Sequence, residues 1–413
     1  MSFMAKATFL LIAGTGACLC VWGALGAPPA TTVAGGLALT VGLAGLVLQL
    51  VRRRRVGQQT SSLRTQIEAV VRAPQAPADM ESLTREMLVQ GRYALMLRPQ
   101  IALNLPSNQH CRAWEAFEKE MAIIPAGEIA VGMVGDEEDE DEIQALAHAL
   151  GDTIIQADEY AVDRHAVMNA QFRAFVQSGG YQQPAIWDQQ ILPALKDFVD
   201  QSGSPGPRYW KNGTYPAGEG SLPVVGINWF EATAYARWVG KRLPSDAEWV
   251  KAGAWPVPSP GSPPIQRKFP WGETMERRRA NLWGSGSQGT VTVDDYEAGA
   301  SVSGVYQLIG NVWEWTSTSF GAWDPPAKRL ELSSPMKSIR GGAYDTYFDS
   351  HAACQFQSGE SPVERRHNIG FRCAVGVCDL ALRSTQGRDE DSLDVDDFQG
   401  NDLEAGMILE GVA

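Results

Sequence analysis

Two stretches near the start carry no charge at all: residues 7–26 and residues 31–51. At 1.5 Å per residue, about 20 apolar residues cross a hydrocarbon core, so each stretch is long enough to span a bilayer. Pro28 and Pro29 lie between them and read as the turn of a helical hairpin. Arg52, Arg53, Arg54 and Arg55 follow at once, with Lys6 ahead of the first stretch. Basic residues flanking a span stay on the cytoplasmic side. The expectation is an inner (plasma) membrane hairpin over 1–55, with the rest of the chain facing the cytoplasm. A cleaved leader ending near Ala27 followed by a single span is the competing reading, and it leaves the later chain on the same side. Small residues in the second stretch, Gly35, Gly36, Gly42 and Gly45, would allow close helix packing in a homo-oligomer.

Charge elsewhere is concentrated. Residues 136–142 are seven consecutive acids, and 379–413 holds ten acids against two arginines. Together these outweigh the net charge of −13, leaving the remainder near neutral. Like charges this dense are solvated, so an acidic loop and an acidic flexible tail are expected. The acid excess argues against nucleic acid as a partner. Six cysteines in 413 residues do not make a disulfide scaffold.

The segment 56–118 reads as a helical linker: Leu63, Ile67, Val70 and Val71 form one stripe, and Met80, Leu83 and Met87 begin another. These helices could lift the following domain from the membrane, pair between subunits, or pack on the domain itself. From Met121 the pattern changes to short strands and helices. Met168, Phe172, Phe175 and Val176 make one buried helical face, stopped by Gly179 and Gly180. Asn228 with Glu231, and Ser245 with Glu248, have the spacing of capping boxes at two further helix starts. Beyond Gly253 the chain is rich in Pro, Gly and Trp. The run Gly284–Ser–Gly–Ser–Gln–Gly289 matches a nucleotide-binding glycine pattern, but no strand precedes it and no helix follows, so it reads as a loop.

Seven pieces occur in order: MAIIPAGEIAVG, AVMNAQFRAFVQSGGY, PVVGINWFEATAYARWVGKRLPSDAEWVKAG, FPWGE, YQLIGNVWEW, IRGGAY and NIGFRCA. The series resembles the formylglycine-generating-enzyme, or sulfatase-modifying-factor, superfamily. The resemblance implies an α+β domain over 119–378 with the C-type-lectin-like fold and little regular secondary structure. Members include copper-dependent oxidases that convert a cysteine to formylglycine, and iron enzymes that make sulfur-containing histidine derivatives.

The oxidase chemistry needs two thiolates for Cu(I) just after the RGG segment. Thr346 stands where the first would fall, the second falls near Asp349 or Ser350, and Ala343 replaces the neighbouring serine. No copper is therefore expected. Cys354 and His351 are the residues on which a divergent enzyme would depend. The five histidines contain no His-x3-His pair for iron. Cys373 and Cys378 could pair, although a cytoplasmic location disfavours it. Arg372 is suited to a buried carboxylate or to backbone carbonyls.

The resemblance also implies structural calcium, held by hard oxygens. Asn281, the Leu282 carbonyl, Asp294 and the Tyr296 carbonyl match one set. Gln307, the Gly310 and Val312 carbonyls and Glu314 match a second, with Gln307 where an Asn is expected. The resulting expectation is a non-catalytic binding component of a membrane assembly, with protein partners. Its binding surface is the former active-site cleft, lined by Trp313, Tyr344, Asp345, Thr346 and His351. The rivals are a divergent metal-dependent oxidase or modifying enzyme and a variable-loop display protein.

Overall fold

A computed structural model describes residues 80–131, 154–260, 262–323, 332 and 334–382. The expected membrane hairpin, the stripe at 63–71, the acidic run at 136–142 and most of the acidic tail lie outside these residues. No helix among the described residues is long and apolar enough to cross a membrane.

The frame is two small sheets and three central helices. Strand β1 (Met121–Ile124) runs antiparallel to β4 (Tyr160–Asp163), which pairs on its other edge with β11 (Ala374–Gly376). This sheet brings the two ends of the domain together. The second sheet has the order β10–β7–β8–β9. It is built from β7 (Trp313–Ser319), β8 (Lys337–Arg340), β9 (Gln357–Glu360) and the parallel β10 (Ile369–Gly370). Two hairpins complete the strands: β2 (Gly127–Ala130) with β3 (Ile154–Ala157), and β5 (Val257–Ser259) with β6 (Ser262–Ile265).

The helices follow the local signals. Helix α3 (Asn169–Gln177) buries Phe172 and Phe175 completely and ends before Gly179 at φ +72°, where a side chain would be strained. Helix α4 (Trp229–Trp238) is capped reciprocally: Glu231 N–H donates to Asn228 Oδ1 and Asn228 N–H donates to Glu231 Oε2, both at 2.9 Å. Helix α5 (Asp246–Ala254) has the same device from Ser245 and Glu248. Phe172 stacks on Tyr235, and Phe371 meets both edge-on, at one core with Trp315 and Trp238 around them. Trp249 of α5 centres a second, against Leu308, Ile309 and Cys354.

The helical segment before the domain packs on it. Helix α1 (Met80–Val89), two single turns, and α2 (Ser107–Glu120) contribute Tyr93, Met96, Leu97 and Phe117 to a third core with Ala161, Val375 and Leu380. Lys241 seals this contact, donating to Tyr93 Oη at 2.7 Å and Asp163 Oδ1 at 2.6 Å. The start of the expected tail belongs here too: Leu380 is buried, and Asp379 lies 3.2 Å from Arg98. Its charge is paired and its apolar neighbour is covered, so the packed chain runs past Cys378.

Candidate binding site

Strand β7 divides its side chains by alternation. Trp315 points into the aromatic core and Glu314 to the other side, both essentially buried. Arg372 meets Glu314 with two parallel bonds, Nε to Oε2 and Nη2 to Oε1, each 2.7 Å. Its remaining donors reach the carbonyls of Asp163, Arg164 and Tyr306. Trp249 Nε1 donates to the same carboxylate at 2.7 Å. Arg372 is a structural clamp that ties β7 to β4.

Beyond β8 the chain turns through Gly341 (φ +95°) and Gly342 (φ +76°). A Cβ on Gly341 would lie 2.2 Å from the Leu308 carbonyl, so only glycine fits. The following segment, 343–356, carries the expected cleft residues, and they separate. Thr346 is buried and acts as a pin: its Oγ1 accepts the Ala343 N–H at 2.8 Å and its carbonyl accepts the Trp283 N–H at 3.2 Å. It does not line a cleft. Tyr344 and Asp345 do face a cavity of about 590 Å³, whose other wall is Trp283 with Gly284, Gly286 and Gln288. Asp345 is held by Asn368 Nδ2, which donates to both its oxygens at 3.1 Å. His367 Nε2 stands 3.6 Å from the same carboxylate. Burial, then the neighbouring Asp345, pushes the Tyr344 hydroxyl pKa above its ordinary value.

Trp313 and His351 lie elsewhere on the same face, in a run of rings. Trp283 neighbours Tyr347 (6.5 Å between centroids), which meets Phe348 (5.2 Å), then His351 (5.3 Å), Phe356 (4.4 Å) and Trp313 (6.2 Å). Trp283, Tyr347 and Phe348 are each more than half exposed. The sequence reading missed Trp283, Tyr347, Phe348 and Phe356, and it set aside the glycine loop that walls the cavity. The available signal was a Tyr-Phe pair immediately after Thr346, but its joining to Trp283 across more than sixty residues has no local trace.

The thiols are not placed for chemistry. Cys354 is fully buried against Gly253, and burial pushes its pKa up to about 12. Cys373 is buried and Cys378 exposed, and both are free. Burial, followed by the nearby Asp163, raises the Cys373 pKa well above the ordinary thiol value. A thiolate is the reactive and metal-binding form, so neither buried thiol is prepared for nucleophilic work at neutral pH.

The two oxygen sets differ. In the first, Asn281 Oδ1 accepts from Ser285 Oγ (3.1 Å), the Leu282 carbonyl from Ser285 N–H (2.9 Å), Asp294 from Thr292 Oγ1 (2.7 Å) and the Tyr296 carbonyl from Gly299 N–H (2.8 Å). All four are hard oxygens, suited by type to calcium. In the second, both Glu314 oxygens are occupied by Arg372 and Trp249. The longer arm of Gln307 carries its Nε2 to the carbonyls of Thr292 (2.8 Å) and Asp295 (2.9 Å). Its Oε1 accepts from Asn311 Nδ2 at 2.7 Å. The Gln307 amide oxygen is taken by Asn311 and a guanidinium stands against the Glu314 carboxylate, so this set does not fit a cation.

A small mixed helix-and-strand frame with the clamp Glu314–Arg372 and a loop hung from Gly341–Gly342 defines a domain of the formylglycine-generating-enzyme type. The family described as "Sulfatase-modifying factor enzyme 1-like domain" matches residues 110–377, and the chain belongs to it. Among curated proteins it is similar to the hercynine oxygenase of Mycolicibacterium smegmatis, 30% identical over 54% of this chain and 54% of that enzyme. It is similar to the formylglycine-generating enzyme of Thermomonospora curvata, 30% identical over 64% of this chain and 96% of that one. It also resembles the inactive C-alpha-formylglycine-generating enzyme 2 of Bos taurus, 30% identical over 53% of this chain and 77% of that one. The chain spans about half the length of the hercynine oxygenases it matches. Solved structures similar to it include CarF (TM-score 0.42, 18% identity, 62% of this chain and 98% of that one). Another is PvdO from Pseudomonas aeruginosa (TM-score 0.40, 21% identity, 62% and 93%).

Proposed function

We propose that this chain is a non-catalytic member of the family, a binding component of a membrane assembly, which engages a protein partner through the face around Trp283, Tyr344, Asp345 and Phe348. The observation that carries the reading is the state of the site: Thr346 is a buried turn pin, and the thiol retained nearby, Cys354, is sealed in the core with its pKa pushed up to about 12. A run of half-exposed rings over a rigid frame suits recognition, because aromatic residues give large contact area at low entropic cost. The charge-free stretches at 7–26 and 31–51, followed by Arg52–Arg55, support anchoring in the inner membrane with this face in the cytoplasm. Calcium at Asn281, Leu282, Asp294 and Tyr296 belongs to the same reading as a strut for the 281–296 loop.

The test uses full-length protein purified without chelators. Supplied with copper(I), oxygen and a cysteine-containing peptide, it is expected to form no aldehyde by mass spectrometry and to retain no stoichiometric copper or iron. A photo-crosslinking residue at Tyr347, in native membranes, is expected to capture a partner that the same residue at Lys211 does not. Aldehyde formation, or a tightly held redox metal, would overturn the reading.

A further inference from the structure

A second cavity, of about 540 Å³, lies away from this face and takes no part in the argument above. Its walls are Ile124, Trp255, Val257, Pro258 and Pro264, supplied by the end of β1, the end of α5 and the β5–β6 hairpin. One cation, Lys251 of α5, reaches it. The Lys251 side chain is buried, 4% exposed. Its ammonium donates to the carbonyls of Pro125 at 2.6 Å and Gly127 at 2.9 Å. An ammonium has three donors. Among the described residues the third finds no acceptor, and no carboxylate lies within ion-pair distance. A buried charge without a counter-ion is costly. Burial accordingly lowers the Lys251 pKa.

We propose that this cavity is a binding site for a small monocarboxylate with an apolar body, its carboxylate taken by Lys251 and its body lying between Trp255 and the prolines. The size suits a metabolite rather than a macromolecule, since small-molecule pockets run from about 300 to 1,000 Å³. One ammonium with one open donor matches a single carboxylate and not a phosphate, which asks for several donors. The exposed Glu128 at the rim, also part of the lining, disfavours multiply charged anions. Trp255 is held at φ +44°, a left-handed conformation strained for a bulky residue, which turns the chain from α5 into the cavity wall.

The test compares 3-phenylpropionate with 3-phenylpropanamide by titration calorimetry on the full chain. The pair differs in charge and little in shape. The carboxylate is expected to bind at least about tenfold tighter, the usual scale for a hydrogen bond to a charged group. Lys251→Met should equalise the two. Because that variant also frees two carbonyls and can fail to fold, Val257→Asp is the second arm: Val257 is exposed, and an acid there should weaken the carboxylate at least about fivefold while moving the amide less than twofold. Equal affinities, no binding of either compound, or indifference to Val257→Asp would each overturn the proposal. None of these outcomes bears on the partner face.

Discussion

Arg372→Met should be among the most damaging single changes in the domain. The guanidinium is fully buried and supplies both bonds to Glu314 together with bonds to three backbone carbonyls. Methionine fills much of the volume but leaves the Glu314 carboxylate buried with Trp249 Nε1 alone. Removing one partner of a buried ion pair typically costs about 3–5 kcal/mol. Domain stability is only about 5–15 kcal/mol, so the variant should fold marginally. With a urea slope of about 2–3 kcal/mol per molar, the unfolding midpoint should fall by roughly 1–2 M. The double variant Arg372→Met, Glu314→Leu removes the stranded charge as well. Its loss should be smaller than the sum of the two single losses by at least about 2 kcal/mol. A single-variant loss under about 1 kcal/mol, or strict additivity, would refute the view that this pair clamps β7 to β4.

Iodoacetamide at pH 8 should label Cys378 in the folded protein and reach Cys354 and Cys373 only after unfolding, read by peptide mass spectrometry, because both buried thiols are held protonated. Gly240→Ala should loosen the helices ahead of the domain: at φ +82° a Cβ would come 2.6 Å from the Leu95 backbone, a loss of about 1–3 kcal/mol that limited proteolysis within 80–118 would detect. Asp246 is buried, which alone would raise its pKa, but Arg340, Thr316 and Ser338 hold it below the ordinary 3.8. Its stabilisation is therefore complete above that value and lost as pH falls through the lower folded pKa, so Asp246→Asn should flatten the acid limb of stability against pH. Chelator should lower the melting temperature through the first oxygen set: Asp294→Asn is expected to abolish the calcium-dependent shift, as differential scanning fluorimetry would show.

What the sequence made legible was mostly local. The pairs Asn228–Glu231 and Ser245–Glu248 stand three residues apart, and their side chains close the caps that this spacing implies. Phe172 and Phe175 are buried as their helical spacing requires, and the order of motifs identified the domain type. The cleft was less legible because its parts come from distant segments. Thr346 looks like a surface residue of a loop, yet a hydrogen bond to Ala343 three residues back turns it inward. Tyr344 and Asp345 needed the glycine loop at 284–289 to become a cavity. Glu314 reads as a calcium ligand until Arg372, 58 residues on, is brought against it.

The arrangement also accounts for how the outer segment can vary without the fold following. The charges that hold the frame are buried in pairs: Glu314 with Arg372, Asp246 with Arg340 at 2.7 Å, and Glu231 with Arg365 at 2.9 Å. Each joins segments at least 58 residues apart in sequence. The segment 343–356 is hung from this frame at Gly341–Gly342 and returned to it where the Cys354 N–H donates to the Lys268 carbonyl at 2.9 Å. Between those two fixings its outward side chains, Tyr347, Phe348 and Asp349, contribute nothing to the buried pairs. Substitution among those outward side chains leaves every clamp in place, so the segment can vary its surface contacts over a fixed frame.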